Sequence, residues 1–182
     1  MFRLERPSMA VNDCRVSDED GRLRQFRLET NWIVGPSDTR ASIMTKVAGV
    51  ARSAAGGRLK NLVLSGHGFP GCLTVGEGFS TDHVHLFTQW RGLVEKIWLP
   101  DCRVAAVAIP ADRARGGRDG QAFCAGIARA AACYVVASTD KQLEMPTSAP
   151  ADMMTSFEGR VQCFGPNGAI TWQHDYPSTY NP

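Results

Sequence analysis

Apolar and polar positions along this chain recur in two rhythms, and the switches between them predict the elements. From Leu23 to Leu28 the alternation has period two and predicts an amino-terminal strand, with Asn31–Val34 a short second one. Asp38 or Thr39 stands where a helix cap belongs, and Ile43, Met44, Val47, Val50, Ala51 and Ala54 follow helical spacing until Gly56-Gly57 stops them. Leu62–Ser65 predicts a buried strand, and Cys72–Val75 with the turn G-E-G a small hairpin. Ser80 or Thr81 caps a second helix, whose stripe of Phe87, Trp90, Val94 and Ile97 ends near Trp98-Leu99-Pro100. Val104–Ile109 reads as another buried strand, Asp119–Ala132 as a third helix with Phe123 and Ile127 inward, and Tyr134–Ser138 as a further strand.

Strands separated by helices of this length imply βαβ units and a mainly parallel sheet. The last part differs: Arg160–Phe164, the turn G-P-N-G and Ala169–His174 predict an antiparallel hairpin, because Asn-Gly between alternating runs is a strong turn signal. Pro146–Pro150 reads as a loop and Pro177–Pro182 as a frayed tail. The fold expected is α/β, a three-layer sandwich built as one domain over residues 1–182.

Composition narrows the function classes. Twenty basic against eighteen acidic residues, interspersed, leave a net charge of +2 and no electrostatic footprint for nucleic acid. Arg113, Arg115 and Arg118 are the nearest thing to a basic patch; they read as a solvated loop or as a contact for a carboxylate. No run approaches the roughly 20 apolar residues of a membrane span, so no membrane partner is expected. The opening M-F-R-L-E-R-P-S-M-A-V lacks the apolar core of a secretory signal, which makes the cytoplasm the expected location, with export by a signal-free route left open. Six cysteines without any C-x-x-C pattern read as free thiols rather than a disulfide framework.

The chemistry concentrates at Lys60–Gly71, K-N-L-V-L-S-G-H-G-F-P-G, where His67 follows the carboxyl end of a strand. Ligand and catalytic groups gather at such ends in open α/β sheets. Gly66–Gly71 matches G-x-G-x-x-G, but Pro70 and the turn-rich residues after it supply no helix to receive a pyrophosphate, so no cofactor is expected. Ser65 reads as a residue that ties down the local backbone. His83 and His85, two apart on a helix, would point to different faces and form no joint metal site.

The apolar strand, S-G-H-G and glycine-rich hairpin resemble the histidine motif of the caspase, gingipain and legumain superfamily of cysteine peptidases. The run from Gly120 to Asp140 is similar to a group of bacterial domains in which a glycine-rich loop and a helix lead to a V-A-A-S-T-type strand. The resemblance covers about Asn61–Asp140 and implies a caspase-like sheet with a cysteine nucleophile at the end of the strand after the histidine strand. If that strand is Val104–Ile109, the nucleophile position is Pro110, 43 residues after His67 against the roughly 50 of caspases, and proline carries no thiol. Cys102 would open the strand, about 26 Å away at the wrong end of the sheet. Cys124 and Cys133 read as packing residues, and Cys72 as the thiol on the correct side. The expectation is therefore a caspase-like domain that has lost peptidase activity and binds a peptide or protein around His67, Gly68, Ser65 and Asp112. The alternative is an active cysteine hydrolase that uses His67 with a relocated thiol such as Cys72.

Overall fold

Asn61–Ser65 is buried at every position, as its apolar run requires, and it lies inside a sheet of seven strands. The computed structural model describes residues 1–17, 23–142, 150–155 and 157–177; the expected loop Pro146–Pro150 and tail Pro177–Pro182 lie outside them except for Pro150 and Pro177. The strands are β1 (Ser8–Asp13), β2 (Thr30–Val34), β3 (Asn61–Ser65), β4 (Lys96–Leu99), β5 (Tyr134–Ser138), β6 (Gly159–Phe164) and β7 (Ile170–Tyr176). Their spatial order is β7-β6-β5-β4-β3-β1-β2. The five from β5 to β2 run parallel, while β6 is antiparallel to both β5 and β7. The protein is thus α/β with a mixed sheet, and the hairpin foreseen around G-P-N-G supplies its antiparallel end.

Period-two alternation sorts the strand side chains onto two faces. Met9, Val11, Leu62, Leu64, Ile97, Leu99, Val135 and Ala137 enter one apolar cluster, into which helices α1 (Arg40–Ser53) and α3 (Gly120–Ala131) pack Ile43, Met44, Val47, Phe123 and Ile127. Ala10, Val63, Trp98, Val136 and Cys163 point to the other face, which is covered by Leu4, Phe26, Leu28, Met154 and Phe157. Both long helices begin on side-chain caps: Thr39 accepts from the Ser42 N–H at 3.1 Å and Asp119 from the Ala122 N–H at 2.9 Å.

Two expectations fail together, and the failure relocates the site. The predicted strand Val104–Ile109 is a series of turns that leads into the short helix α2 (Pro110–Arg113). The predicted helix through Ile97 stops early as a 3₁₀ helix over Thr81–Trp90, with Gly92 at φ 75°, and Lys96–Leu99 is a strand instead. In a strand Ile97 and Leu99 fill one face and Trp98 the other, each burial stabilising by about 2–3 kcal/mol. Trp98 Nε1–H also donates to Asn61 Oδ1 at 2.8 Å. Another error lies earlier in the chain. The first strand of the seven-stranded sheet is Ser8–Asp13, buried throughout, and Leu23–Leu28 forms no strand.

Candidate functional site

With β4 at Lys96–Leu99, Cys102 stands just beyond the carboxyl end of the strand adjacent to β3, not at the amino end of a strand. His67 stands just beyond the carboxyl end of β3 itself. These two exits touch. A Cβ on Gly68 would lie 2.6 Å from the Cys102 carbonyl oxygen, 2.5 Å from Val104 Cγ2 and 2.9 Å from Asp101 Cβ. One on Gly66 would lie 2.6 Å from the Thr74 carbonyl oxygen. The glycines flanking His67 are therefore required by the close approach of neighbouring chain, which leaves no room for a side chain at either position.

The imidazole is exposed, and its backbone is held by Thr74, whose hydroxyl accepts from the His67 N–H and donates to the His67 carbonyl, both at 2.9 Å. The ring Nε2 lies 3.3 Å from the Arg15 carbonyl. A carbonyl only accepts, so this contact requires the hydrogen on Nε2, which in the neutral tautomer puts the lone pair on Nδ1. Arg15 belongs to a fixed group at the exit of β1. It donates to Asp13 through Nε and a terminal nitrogen, each at 2.7 Å, and to the Thr74 and Gly76 carbonyls. Burial opposes ionisation of Asp13, but Arg15 and the Gly76 N–H prevail and hold its carboxyl below the ordinary value.

Cys102 is half-buried. Its sulfur accepts from the Gln142 N–H at 3.3 Å and faces the Gln142 carbonyl at 3.5 Å. Arg103, the next residue, is left-handed at φ 55°. Its N–H donates to the Asp140 carbonyl at 2.9 Å, and its guanidinium pairs with both Asp112 oxygens at 2.9 and 2.7 Å. A cavity of about 400 Å³ opens beside the thiol, lined by Gly68, Phe69, Cys102, Arg103, Asp112, Arg115 and Lys141. Among the described residues its lining carries three cations and one carboxylate, a net positive wall. A larger open cleft of about 740 Å³ lies at the opposite ends of β1 and β2, near Ser8 and Thr30, away from these strand exits.

The other expected residues occupy distinct positions. Cys72 pairs with Phe69 in a three-stranded sheet (His67–Phe69, Cys72–Thr74, Phe79–Ser80), two residues along from the His67–Thr74 pair. Its thiol is buried, faces the Gly116 carbonyl at 3.7 Å, and is pushed up in pKa by that burial. Asp112 lines the cavity, and the Arg103 guanidinium holds its carboxyl below the ordinary value. Ser65 Oγ is buried and has no hydrogen-bond partner among the described residues, so it does not anchor the backbone as expected. The segment after Gly71 is a strand, not the helix a dinucleotide site needs. Of the remaining thiols, Cys124, Cys133 and Cys163 are buried and raised in pKa, Cys133 to about 12. Cys14 is exposed on the β2 side of β1, where a Cβ on Gly35 would meet its sulfur at 3.7 Å.

Sequence reasoning set Cys102 aside, at the wrong end of the sheet, because it placed the strand eight residues too late. The available signal was Gly92 followed by K-I-W-L-P, a short apolar run closed by proline. Among the described residues no helix is long and apolar enough to cross a membrane. Fold and site define an α/β protein with a thiol and an imidazole at neighbouring strand exits. The chain matches no family model, and comparison with curated proteins and with solved structures found no match.

Proposed function

We propose that this protein is a caspase-like cysteine hydrolase acting on peptides, with Cys102 as nucleophile and His67 as base. One observation carries the reading: the strand beside the histidine strand ends three residues before a cysteine, and Gly68 packs against that cysteine's carbonyl. The reason for expecting a lost nucleophile was Pro110, which opens helix α2 instead of following a sheet strand. The strand order and the antiparallel sixth strand suit a caspase-like sheet; α1 and α3 both pack into the apolar cluster on one side of it, and a three-layer sandwich would need a helical layer on the other side too.

In this reading Cys102 Sγ attacks the scissile carbonyl carbon while its proton passes to His67 Nδ1. Collapse of the tetrahedral intermediate expels the amine, which takes that proton, and water then hydrolyses the thioester. Arg15, through its carbonyl, keeps the imidazole in the tautomer that accepts. The net positive wall beside the thiol would receive an extended peptide, with Asp112 holding Arg103 in position.

The test is brief iodoacetamide labelling at about pH 6, where ordinary thiols with pKa about 8.5 stay protonated. Labelling is mapped cysteine by cysteine in wild type and in His67→Ala. Selective labelling of Cys102 that falls in His67→Ala supports the hydrolase. Equal, slow labelling of all six thiols in both proteins refutes it and favours the binding module; fast labelling at Cys72 instead assigns the relocated thiol.

A further inference from the structure

The residue before Cys102 carries a carboxyl group with no part in the chemistry above. Asp101 precedes Cys102 as Gly66 precedes His67, and Asp101 Oδ1 accepts the Gly66 N–H at 3.0 Å. The side chain is buried, 1% exposed, and Oδ2 has no partner among the described residues. This bond ties the residue before the nucleophile to the residue before the base. The exits of β3 and β4 need such a tie, because the two strands pair at Leu62–Ile97 and Val63–Trp98, and that pairing stops four residues before His67 and four before Cys102.

The geometry points to Asp101 as a positioning residue for the thiol and imidazole: its buried side-chain oxygen fixes the exit of β4 to that of β3 and thereby sets how Cys102 faces His67. This rests on the reading of those two residues as a working pair. What the tie requires of Asp101 is an acceptor, not a charge. Burial favours the neutral acid, the Asp13 carboxylate on β1 adds to that preference, and the Gly66 N–H opposes it without prevailing. An amide of the same shape would serve the Gly66 N–H equally well, whereas an apolar side chain would leave that N–H without its acceptor.

The experiment measures alkylation of Cys102 by iodoacetamide between about pH 5 and pH 9 in wild type, His67→Ala, Asp101→Asn and Asp101→Leu. Folding is checked by circular dichroism, and exchange of the Gly66 amide is followed by NMR. Asp101→Asn is expected to keep the His67-dependent rate within about twofold, with Gly66 as protected as in wild type. Asp101→Leu, folded, is expected to lose about tenfold, to the level of His67→Ala, with faster exchange at Gly66. If Asp101→Leu does not fold, Asp101→Ala takes its place with the same expectation. A folded variant without the acceptor that keeps the His67-dependent rate overturns the proposal, as does loss of that rate in Asp101→Asn. If wild type itself shows no His67-dependent rate, the pair fails and the positioning role falls with it. The two failures are thus distinguished by wild type alone.

Discussion

Replacing Gly120 by alanine tests how the chain after Cys102 is held. Gly120 opens α3, and its N–H donates to the Ala106 carbonyl at 2.8 Å. A Cβ there would lie 2.2 Å from the Val104 oxygen, 2.4 Å from the Ala106 oxygen and 2.6 Å from the Ala105 carbonyl carbon. All three are backbone atoms, so no side-chain rotation relieves the overlap. That backbone is itself tied, since the Ala105 N–H donates to the Ser138 carbonyl on β5 and the Val104 carbonyl accepts from the Gly71 N–H. Overpacking of this kind costs about 1–3 kcal/mol and the stretched hydrogen bond about 1 kcal/mol more. At roughly 2–4 °C per kcal/mol for a chain of this size, the melting midpoint should fall by about 5–15 °C. Gly49→Ala is the control: it sits inside α1 with nothing within 4 Å of the new Cβ. Alanine there should stabilise by about 0.5–1 kcal/mol, raising the midpoint slightly. Paired melts by circular dichroism decide the matter. A Gly120→Ala midpoint equal to that of wild type would refute the account of the segment after Cys102.

Two further outcomes are expected from buried polar groups. Because the folded state raises the Asp101 pKa above its unfolded value, the wild-type carboxyl is neutral in both states at low pH and costs nothing there. Above the ordinary value of about 3.9 the unfolded chain ionises first, so stability falls with rising pH, by up to about 1.4 kcal/mol per unit, until the folded-state pKa is passed. Asp101→Asn should remove this decline; urea melts at a series of pH values that show the same slope in both proteins would count against a neutral Asp101. Trp98→Phe removes the donor to Asn61 Oδ1 in a buried place and should destabilise by about 1–3 kcal/mol, read as a lower urea midpoint with unchanged slope; no shift would mean that water replaces the lost donor.

Where local pattern and tertiary demand agreed, the sequence was readable. The cap at Asp38 or Thr39, the third helix from Asp119, the buried run ahead of His67 and the Asn-Gly hairpin are each local signals, and each element formed within a residue or two of its expected place. The segment from Trp90 to Pro110 was misread because it satisfied two periodicities. Phe87, Trp90, Val94 and Ile97 fit a helix, while Ile97, Trp98 and Leu99 fit a strand only once both faces of the sheet are known to be apolar. Val104–Ile109 looks like a strand by hydrophobicity alone; its burial comes from the start of α3 and from the hairpin after His67, contacts distant in sequence. His67 was legible because S-G-H-G is local. Cys102 was not, because its place depends on where β4 ends. Asp13 and Arg15 were missed for the same reason, since the strand that ends at Asp13 and leads into Arg15, Ser8–Asp13, has polar residues buried at both ends.

The side of the sheet away from α1 and α3 has a consequence for how the chain emerges during synthesis. Its cover joins segments remote in sequence: Phe2–Arg3 pair with Met153–Met154, the Leu4 N–H donates to the Asp152 carbonyl, and Arg6 grips Asp152 across 146 residues. Until residues near 157 have left the ribosome, Val63 and Trp98 have no Met154 or Phe157 to lie against, although the helices of the opposite side are already made. Such long-range closure is slow and leaves apolar surface open to other chains. Vectorial folding of this protein should therefore pass through a half-covered sheet, whose bare side is the surface a trigger chaperone would hold.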